Sequence, residues 1–174
     1  MLGALRVFQA ELVSNTTVNF VLEVTEALYL DHCTVTAFQS LPIHVRRQVQ
    51  VQDCWFRDNG LGVFASRVLG GSLTVTQSRF SRNAGTSGAV FFLYPVSRLE
   101  ATFYSVSKCA FEGNGVKHGS SVLALNDFGA NSTESQTVSF SKCPFREHPV
   151  AAFQLQASCF YSTLRNAHSR RKPR

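Results

Sequence analysis

The chain repeats one short apolar spacing six times. In each copy, an aliphatic or aromatic residue stands five positions before a second large apolar residue, with a Cys or Ser at the same offset between them. Repetition at a period of tens of residues is typical of folds that stack one structural unit on the next. The six apolar pairs are Leu30/Val35, Val51/Phe56, Val75/Phe80, Val106/Phe111, Phe140/Phe145 and Leu155/Phe160.

Two further columns of residues keep the register of these pairs. The small residues between the pair members are Cys33, Cys54, Ser78, Cys109, Cys143 and Ser158. The apolar residues two positions upstream of each pair are Leu28, Val49, Leu73, Tyr104, Val138 and Phe153. Within each repeat, apolar residues alternate with polar residues at a period of two, and many of them are β-branched. This pattern predicts short strands and not helices.

Each repeat also contains two positions suited to a corner. Two polar residues, such as Gln52 and Asp53, shift the alternation so that the small residue and the later Phe both face the interior. The residues three positions after the Phe are Asn59, Asn83, Asn114 and, in the fourth place, His148. Since Asn tolerates left-handed backbone angles and bonds its own main chain, this column predicts the second corner.

A third apolar segment follows the second corner, at residues 62–65, 88–94 and 121–125. Three strands with corners at equivalent places predict an all-β fold, a single-stranded parallel β-helix (solenoid) in which the coil itself returns the chain. Equivalent side chains would then stack about 4.8 Å apart. An antiparallel sandwich is the alternative, but it does not require Cys, Phe and Asn to keep the same mutual offsets.

The spacing predicts about five rungs, between residues 28 and 161. The last pair, Leu155/Phe160, begins only 15 residues after Phe140, which is too short for a full rung. Residues 1–27 are expected to form a strand-and-cap region, and residues 162–174 are expected to be a disordered basic tail.

The positive charge is concentrated at one end of the chain. The formal net charge is +6, but five of the cations lie in the last ten residues, so the remainder carries +1. The charge therefore does not predict a nucleic-acid partner.

No apolar run approaches the roughly 18 residues that span a bilayer, so no transmembrane segment is expected. Arg6 interrupts the short apolar start, which does not resemble a secretory signal. A piece of a longer protein is expected, because cut ends of a β-stack leave exposed edges, and a cytosolic chain is the alternative.

The repeats contain motifs that resemble a known family. The runs Phe56-Arg-Asp-Asn59, Phe80-Ser-Arg-Asn83 and Phe111-Glu-Gly-Asn114 are similar to the Phe-x-x-Asn repeat, and Ser87-Gly88-Ala89-Val90 is similar to its Gly-Gly-Ala-Ile companion. Together they resemble the repeats of chlamydial polymorphic outer membrane proteins and of related surface proteins. The resemblance covers roughly residues 28 to 148. It implies a pectin-lyase-like right-handed β-helix, an extracellular or cell-surface location and a role in adhesion.

The carboxylates do not align into a catalytic or metal site. Enzymes that cleave acidic polysaccharides on a β-helix need several Asp or Glu residues on adjacent rungs. In the shared register Asp58 aligns with Arg82, Gly113 and Glu147, and Asp53 aligns with His32, Gln77, Lys108 and Lys142, so neither column stacks two acids on neighbouring rungs. Asp58 and Arg82 are expected to form a surface ion pair worth less than about 1 kcal/mol. We therefore expect no enzyme, catalytic residue, metal or cofactor; a polysaccharide lyase or glycoside hydrolase is the enzyme class that remains open.

Four cysteines share the small-residue column, namely Cys33, Cys54, Cys109 and Cys143. They include no Cys-x-x-Cys motif and match no His spacing, so they do not predict zinc. Disulfides Cys33–Cys54 or Cys109–Cys143 fit the usual Cα separation, although parallel Cβ vectors would leave the Cβ atoms slightly too far apart. Burial as small hydrophobic residues is the favoured interpretation.

Three further residues are candidates for modification or ligand contact. Asn15 and Asn131 each begin an Asn-x-Thr triplet, the acceptor for glycosylation in a secreted protein, although an ordinary polar loop explains each equally well. Trp55 shares a column with Arg79, Ala110 and Pro144 that is expected to face outward. It is a candidate contact for a saccharide or protein partner, and packing beneath a neighbouring loop is the alternative.

These observations favour a non-catalytic structural or adhesive module of a surface or secreted repeat protein. Its insertion loops, at residues 95–101 and 126–136, would be presented to a protein or glycan partner, because insertions in a solenoid map to loops on one side. The alternative is a carbohydrate-active or carbohydrate-binding pectin-lyase-like domain, in the form of a degenerate fragment. A truncated product without a role of its own is the third hypothesis, because a solenoid needs polar caps to stay soluble.

Overall fold

The computed structural model describes most of the chain as short strands. The described residues are 2–13, 22–38, 43–45, 47–60, 63–68, 72–85, 88–95, 102–116, 121–126, 136–147, 153–156, 160–165 and 169–170. They form nineteen strands and no helix, so this part of the chain is all-β. It contains no helix that is long and apolar enough to cross a membrane.

The strands, numbered in chain order, fall into three sets that recur one after another. The first set is β1 Leu2–Phe8, β3 Leu22–Asp31, β6 Gln48–Gln52, β9 Ser72–Thr76, β12 Thr102–Ser107, β15 Gln136–Ser141 and β18 Phe160–Arg165. The second set is β2 Glu11–Val13, β4 Thr34–Thr36, β7 Trp55–Arg57, β10 Arg79–Ser81, β13 Ala110–Glu112, β16 Phe145–Arg146 and β19 Ser169–Arg170. The third set is β5 Ile43–Val45, β8 Phe64–Val68, β11 Gly88–Pro95, β14 Ser121–Asn126 and β17 Phe153–Gln156.

Strands of one set pair in parallel with strands of the same set. The second set forms a seven-stranded sheet, which we call the short sheet. The first and third sets belong to one twelve-stranded sheet that is continuous through β3, because the start of β3 pairs with β5 and its end pairs with β6. Parallel neighbours that return through further strands, without helices, fit the β-solenoid predicted from the repeats.

The register of the sheets agrees with the columns read from the sequence. Leu30, Val51, Val75, Val106 and Phe140 are successive partners in the first set. In β6 the burial alternates along the strand, with Val49 and Val51 inside and Gln50 outside. The apolar alternation therefore sets which face of each strand is buried, as a period of two requires.

The aromatic rings of the short sheet form one continuous file through the core. Phe56, Phe80, Phe111 and Phe145 are each at most 2% exposed. Successive ring centroids are 5.0, 5.0 and 4.7 Å apart, and the ring planes differ by only 4–6°. Stacked aromatic pairs contribute about 0.5–1.5 kcal/mol beyond the burial of their area. The predicted file of Phe side chains is confirmed.

Both ends of the repeat array differ from the sequence interpretation. Leu155 lies in β17 and pairs with Leu125 of the third set, whereas Leu164 is the partner of Phe140. The pair Leu155/Phe160 is therefore not a sixth copy of the motif. At the other end, Val7 pairs with Leu30 and continues the same column toward the start of the chain. Strand β3 crosses the expected boundary at 27/28, and β18 crosses that at 161/162.

Left-handed residues make the corners between strands. At the first corner the residues with positive φ are Gln9, His32, Asp53, Gln77, Lys108 and Lys142, and at the second they are Ala37, Asp58, Arg82, Gly113 and Glu147. Nearly all of them carry a side chain, and a left-handed conformation costs such a residue about 1–2 kcal/mol. Bonds between repeats offset this cost; the amide of Asp53, for example, donates to the carbonyl of Thr76 at 3.1 Å.

The column of asparagines does not itself adopt the left-handed turn. The turn falls on the preceding residue, as at Asp58, while Asn59, Asn83 and Asn114 point into the core and are at most 1% exposed. The expectation that Asn forms the left-handed corner is therefore wrong for these three repeats. A short amide side chain is needed inside the corner, where it bonds main-chain groups that the turn leaves unpaired.

Candidate functional site

The predicted cysteines lie inside the first corner and hydrogen-bond the backbone. Cys33, Cys54, Cys109 and Cys143 are at most 2% exposed and carry free thiols, so the structure contains no disulfide among them. The amide of Cys33 donates to Sγ of Cys54 at 3.3 Å, and the thiol of Cys54 donates to the carbonyl of Gln52 at 3.1 Å.

Ser78 makes the same bonds as the cysteines. Its Oγ accepts from the amide of Cys54 at 3.1 Å and donates to the carbonyl of Thr76 at 2.8 Å. The amide of Ser78 donates in turn to Sγ of Cys109 at 3.5 Å. This explains why Cys and Ser interchange in the column: the corner needs a small side chain that both accepts and donates.

The thiols of Cys54 and Cys109 are poor nucleophiles because the thiolate is disfavoured at both positions. Burial raises the pKa of Cys54 to about 12. The hydrogen bond with Cys143, together with burial, raises the pKa of Cys109 above its ordinary value. Since the thiolate is the reactive form, the geometry does not support a catalytic cysteine at either position.

We predict that Cys54 and Cys109 resist alkylation in the folded protein and react fully once it is unfolded in denaturant, because neither thiol is exposed nor ionised at neutral pH. Peptide mass spectrometry after brief iodoacetamide treatment measures this. Ser105→Cys, at an exposed position of β12, is the positive control. Labelling of Cys54 as fast as the introduced thiol would contradict the assignment.

The buried asparagines form a ladder along the second corner. Nδ2 of Asn59 donates to Oδ1 of Asn83, and Nδ2 of Asn83 donates to Oδ1 of Asn114, each at 2.9 Å. The same oxygens accept the main-chain amides of Asn59 and Asn83 at 3.2 and 3.0 Å. The second donor of each Asn reaches a carbonyl; for Asn83 this is Phe56 at 3.0 Å. These amides therefore serve the fold and are closed to a ligand.

Trp55 faces outward from the short sheet, in the column with Arg79, Ala110 and Pro144 that the sequence predicted. Its Nε1 donates to Oγ of Ser81 at 3.1 Å, so the indole lies across the neighbouring strand. The guanidinium carbon of Arg57 is 4.5 Å from the centroid of the indole, and that of Arg79 is 5.8 Å from it. Trp55 is thus not a bare platform, because two arginines of its own chain flank the indole.

The Asp58–Arg82 pair predicted from the register forms on the surface. Nε and Nη2 of Arg82 donate to the two carboxylate oxygens of Asp58, each at 2.7 Å. This hydrogen bonding is the main cause that lowers the pKa of Asp58, and the charges of Arg82 and Arg57 lower it further. Both side chains are substantially exposed, so the pair is worth at most about 1 kcal/mol.

Sequence reasoning missed a second polar cluster at the first corner. His32 lies between two carboxylates: its Nδ1 is 2.7 Å from Oδ1 of Asp31, and its Nε2 is 3.2 Å from Oδ2 of Asp53. The aligned column contained His32 and Asp53 but not Asp31, which ends the preceding strand. Alternation places Asp31 outward beside the corner, and this was the signal available. Among the described residues no group of three or more His, Cys, Asp or Glu could hold a metal ion.

A groove of about 600 Å³ lies on the outer face of β1, β3, β6 and β9. Its polar lining is supplied by Arg6, Tyr29, Asp31, Gln50, Gln52, Thr74 and Thr76. The guanidinium carbon of Arg6 is 4.6 Å from the centroid of the Tyr29 ring. Of the two carboxylates that hold His32, Asp31 lines this groove.

Several predicted sites lie outside the described residues. These are Asn15, Asn131 and His148, together with residues 96–101 and 127–135 of the two insertions. Their assignments stay predictions.

Comparison of the chain with protein-family models, with curated proteins and with solved structures finds no match.

Proposed function

We propose that this chain is a non-catalytic, adhesive module of a surface or secreted repeat protein. In this proposal the fold is a right-handed parallel β-helix of about five rungs, as the family resemblance implies, and its outward faces bind a glycan or protein partner. The module would act by holding outward side chains in fixed register. A partner could then contact equivalent groups on successive repeats without ordering a flexible surface first.

The observation that carries this proposal is the use of the buried reactive groups. The thiols of the first corner and the amides of the second all make hydrogen bonds between repeats. Catalysis would require a nucleophile or acid–base pair held free for a substrate. In this chain the thiols and amides instead stabilise the stacking of the repeats beneath the outward faces.

The test is to attach the full chain to beads and measure their retention on surfaces coated with acidic polysaccharides, neutral polysaccharides or matrix proteins. The same polymers are incubated with the free chain and assayed for new reducing ends and unsaturated sugars. We expect retention on at least one coating and no release of product. Product release, or retention no greater than that of albumin-coated beads on every coating, would refute the proposal.

The groove of β1, β3, β6 and β9 favours a second candidate, a domain that binds and cleaves polysaccharide. Asp31 would be its acid or base, because it lines the groove and bonds His32 at 2.7 Å. In this case Asp31→Asn would abolish product release, whereas Asp53→Asn, which leaves the groove lining unchanged, would reduce it less.

A further inference from the structure

The arginines Arg57, Arg79 and Arg82 of the short sheet and its second corner differ in whether they make a direct ion pair. Arg82 holds Asp58 through two bonds, and Arg79 holds Glu112 through one bond of 3.5 Å. Among the described residues, no ion pair is made by Arg57, and its Nε is buried without a hydrogen-bond partner. A buried guanidinium nitrogen that has lost water and gained no acceptor is unfavourable.

Trp55 holds this guanidinium in place. The indole lies 4.5 Å below the guanidinium carbon of Arg57 and is itself anchored to Ser81, which is 5% exposed. Stacking of Arg on Trp is favourable and restricts the side chain while leaving the guanidinium edge available to an acceptor. Trp55 therefore positions the guanidinium of Arg57, whose side chain is half-buried.

Arg79 supplies a second cation beside the first. It is the partner of Trp55 on the adjacent strand, and its guanidinium carbon is 5.8 Å from the same ring. Its side chain is 58% exposed, and that of its partner Glu112 is 43% exposed. An exposed single-bond pair of this kind contributes little, so an incoming anion can replace Glu112 at small cost.

We propose that Arg57 and Arg79, supported by Trp55, bind a carboxylate or sulfate group of an acidic polysaccharide. The assignment rests on the proposed function and names the ligand class of that module. The guanidinium fork matches the paired oxygens of either anion.

A densely charged phosphate polymer fits this surface less well than an acidic polysaccharide. The acidic groups Asp58 and Glu112 lie beside the site and would repel adjacent anions on a closely charged chain. In a polysaccharide, sugar rings separate successive anions. The outward columns of the short sheet also offer one contact per strand, about 4.8 Å from the next.

The experiment measures binding of the full chain to immobilised dextran sulfate and polygalacturonate, with uncharged dextran, polyphosphate and polyglutamate as comparisons. The variants are Arg57→Ala, Trp55→Leu and the control Arg47→Ala, which removes the same charge from an exposed side chain that pairs with Glu26 elsewhere. Because every variant keeps the basic end of the chain, non-specific attraction is the same for Arg57→Ala and Arg47→Ala.

We expect Arg57→Ala to weaken binding to one of the acidic polysaccharides at least about tenfold, as loss of a charge-assisted bidentate contact would. Trp55→Leu should weaken it severalfold, with urea unfolding used to confirm that the variant is folded. Arg47→Ala should change it less than about twofold, as a screened surface charge does. Arg57→Lys, which keeps the charge and loses the fork, should recover only part of the affinity.

Equal losses for Arg57→Ala and Arg47→Ala would overturn the site, as would tighter binding of polyphosphate or polyglutamate than of both acidic polysaccharides. If the beads are retained but Arg57→Ala does not reduce retention, the site is refuted and the adhesive function stands. Product release by the wild-type chain refutes the proposed function whatever Arg57→Ala does.

Discussion

Phe80→Ala is expected to lower the free energy of unfolding by about 3–5 kcal/mol, the usual cost of truncating a buried Phe. Phe80 is fully buried and stacks on both Phe56 and Phe111, at 5.0 Å in each direction. Its loss breaks two ring contacts and leaves a cavity between neighbouring repeats. Because each repeat of a stacked fold is stabilised mainly by its neighbours, a defect in the middle weakens the coupling on both sides.

Urea unfolding of the two proteins measures the effect of Phe80→Ala. Phe103→Ala is the matched control, since Phe103 is 57% exposed on the outer face of β12 and should cost less than about 1 kcal/mol. Should Phe80→Ala fail to fold, Phe80→Leu keeps the site filled and should show a smaller loss. Equal stability losses at Phe80 and Phe103 would show that the aromatic file does not form.

Asn83→Ala is expected to cost about 3 kcal/mol or more, although it removes few atoms. The substitution leaves the main-chain amide and Nδ2 of Asn59 without an acceptor, and the carbonyl of Phe56 without that donor. Each buried polar group that loses its partner costs about 1–3 kcal/mol, and entry of water into the space would recover part of this. The loss therefore comes from the corner and not from apolar area.

The control for Asn83→Ala is Gln50→Ala, which removes an amide from an exposed position of β6 and should change stability by about 0.5 kcal/mol or less. Hydrogen exchange gives a second readout. We expect the amide of Asn59 to lose protection more than that of Val51, because only the former donates to Asn83. A loss of stability below about 1 kcal/mol would mean that the asparagine ladder is not a principal support of the corner.

The inward columns were predictable from sequence because a fixed offset leaves little freedom in a strand of period two. Phe56, Phe80 and Phe111 could be placed in one file before any coordinates were known. The column that starts with Val7 was missed because Ala10 stands where later repeats carry Cys or Ser. Yet Leu5, Val7 and Leu12 keep the offsets of the motif, and the pairing of Leu12 with Val35 shows that the signal was present.

The corners and the outer surface were less predictable. The position of the left-handed residue is set by backbone geometry. Side chains as different as those of Asp58, Arg82 and Glu147 occur at this position, so residue type does not predict it. Around Trp55, column alignment identified the outward strand position. Which arginine stacks on the indole and which pairs with an acid depends on side-chain rotamers, which a register of columns does not contain.

The stacked register also spaces equivalent residues of successive repeats at regular intervals. Position along the stack is counted in whole repeats, about 4.8 Å each, while position along a strand is set by the place of a residue within its repeat. Inserting one complete repeat would displace all later residues by one inter-strand spacing along the stack. Each of these residues would keep its register position within its own strand. Deleting one residue inside β6 would instead turn the flanking Gln50 and Val51 inside out.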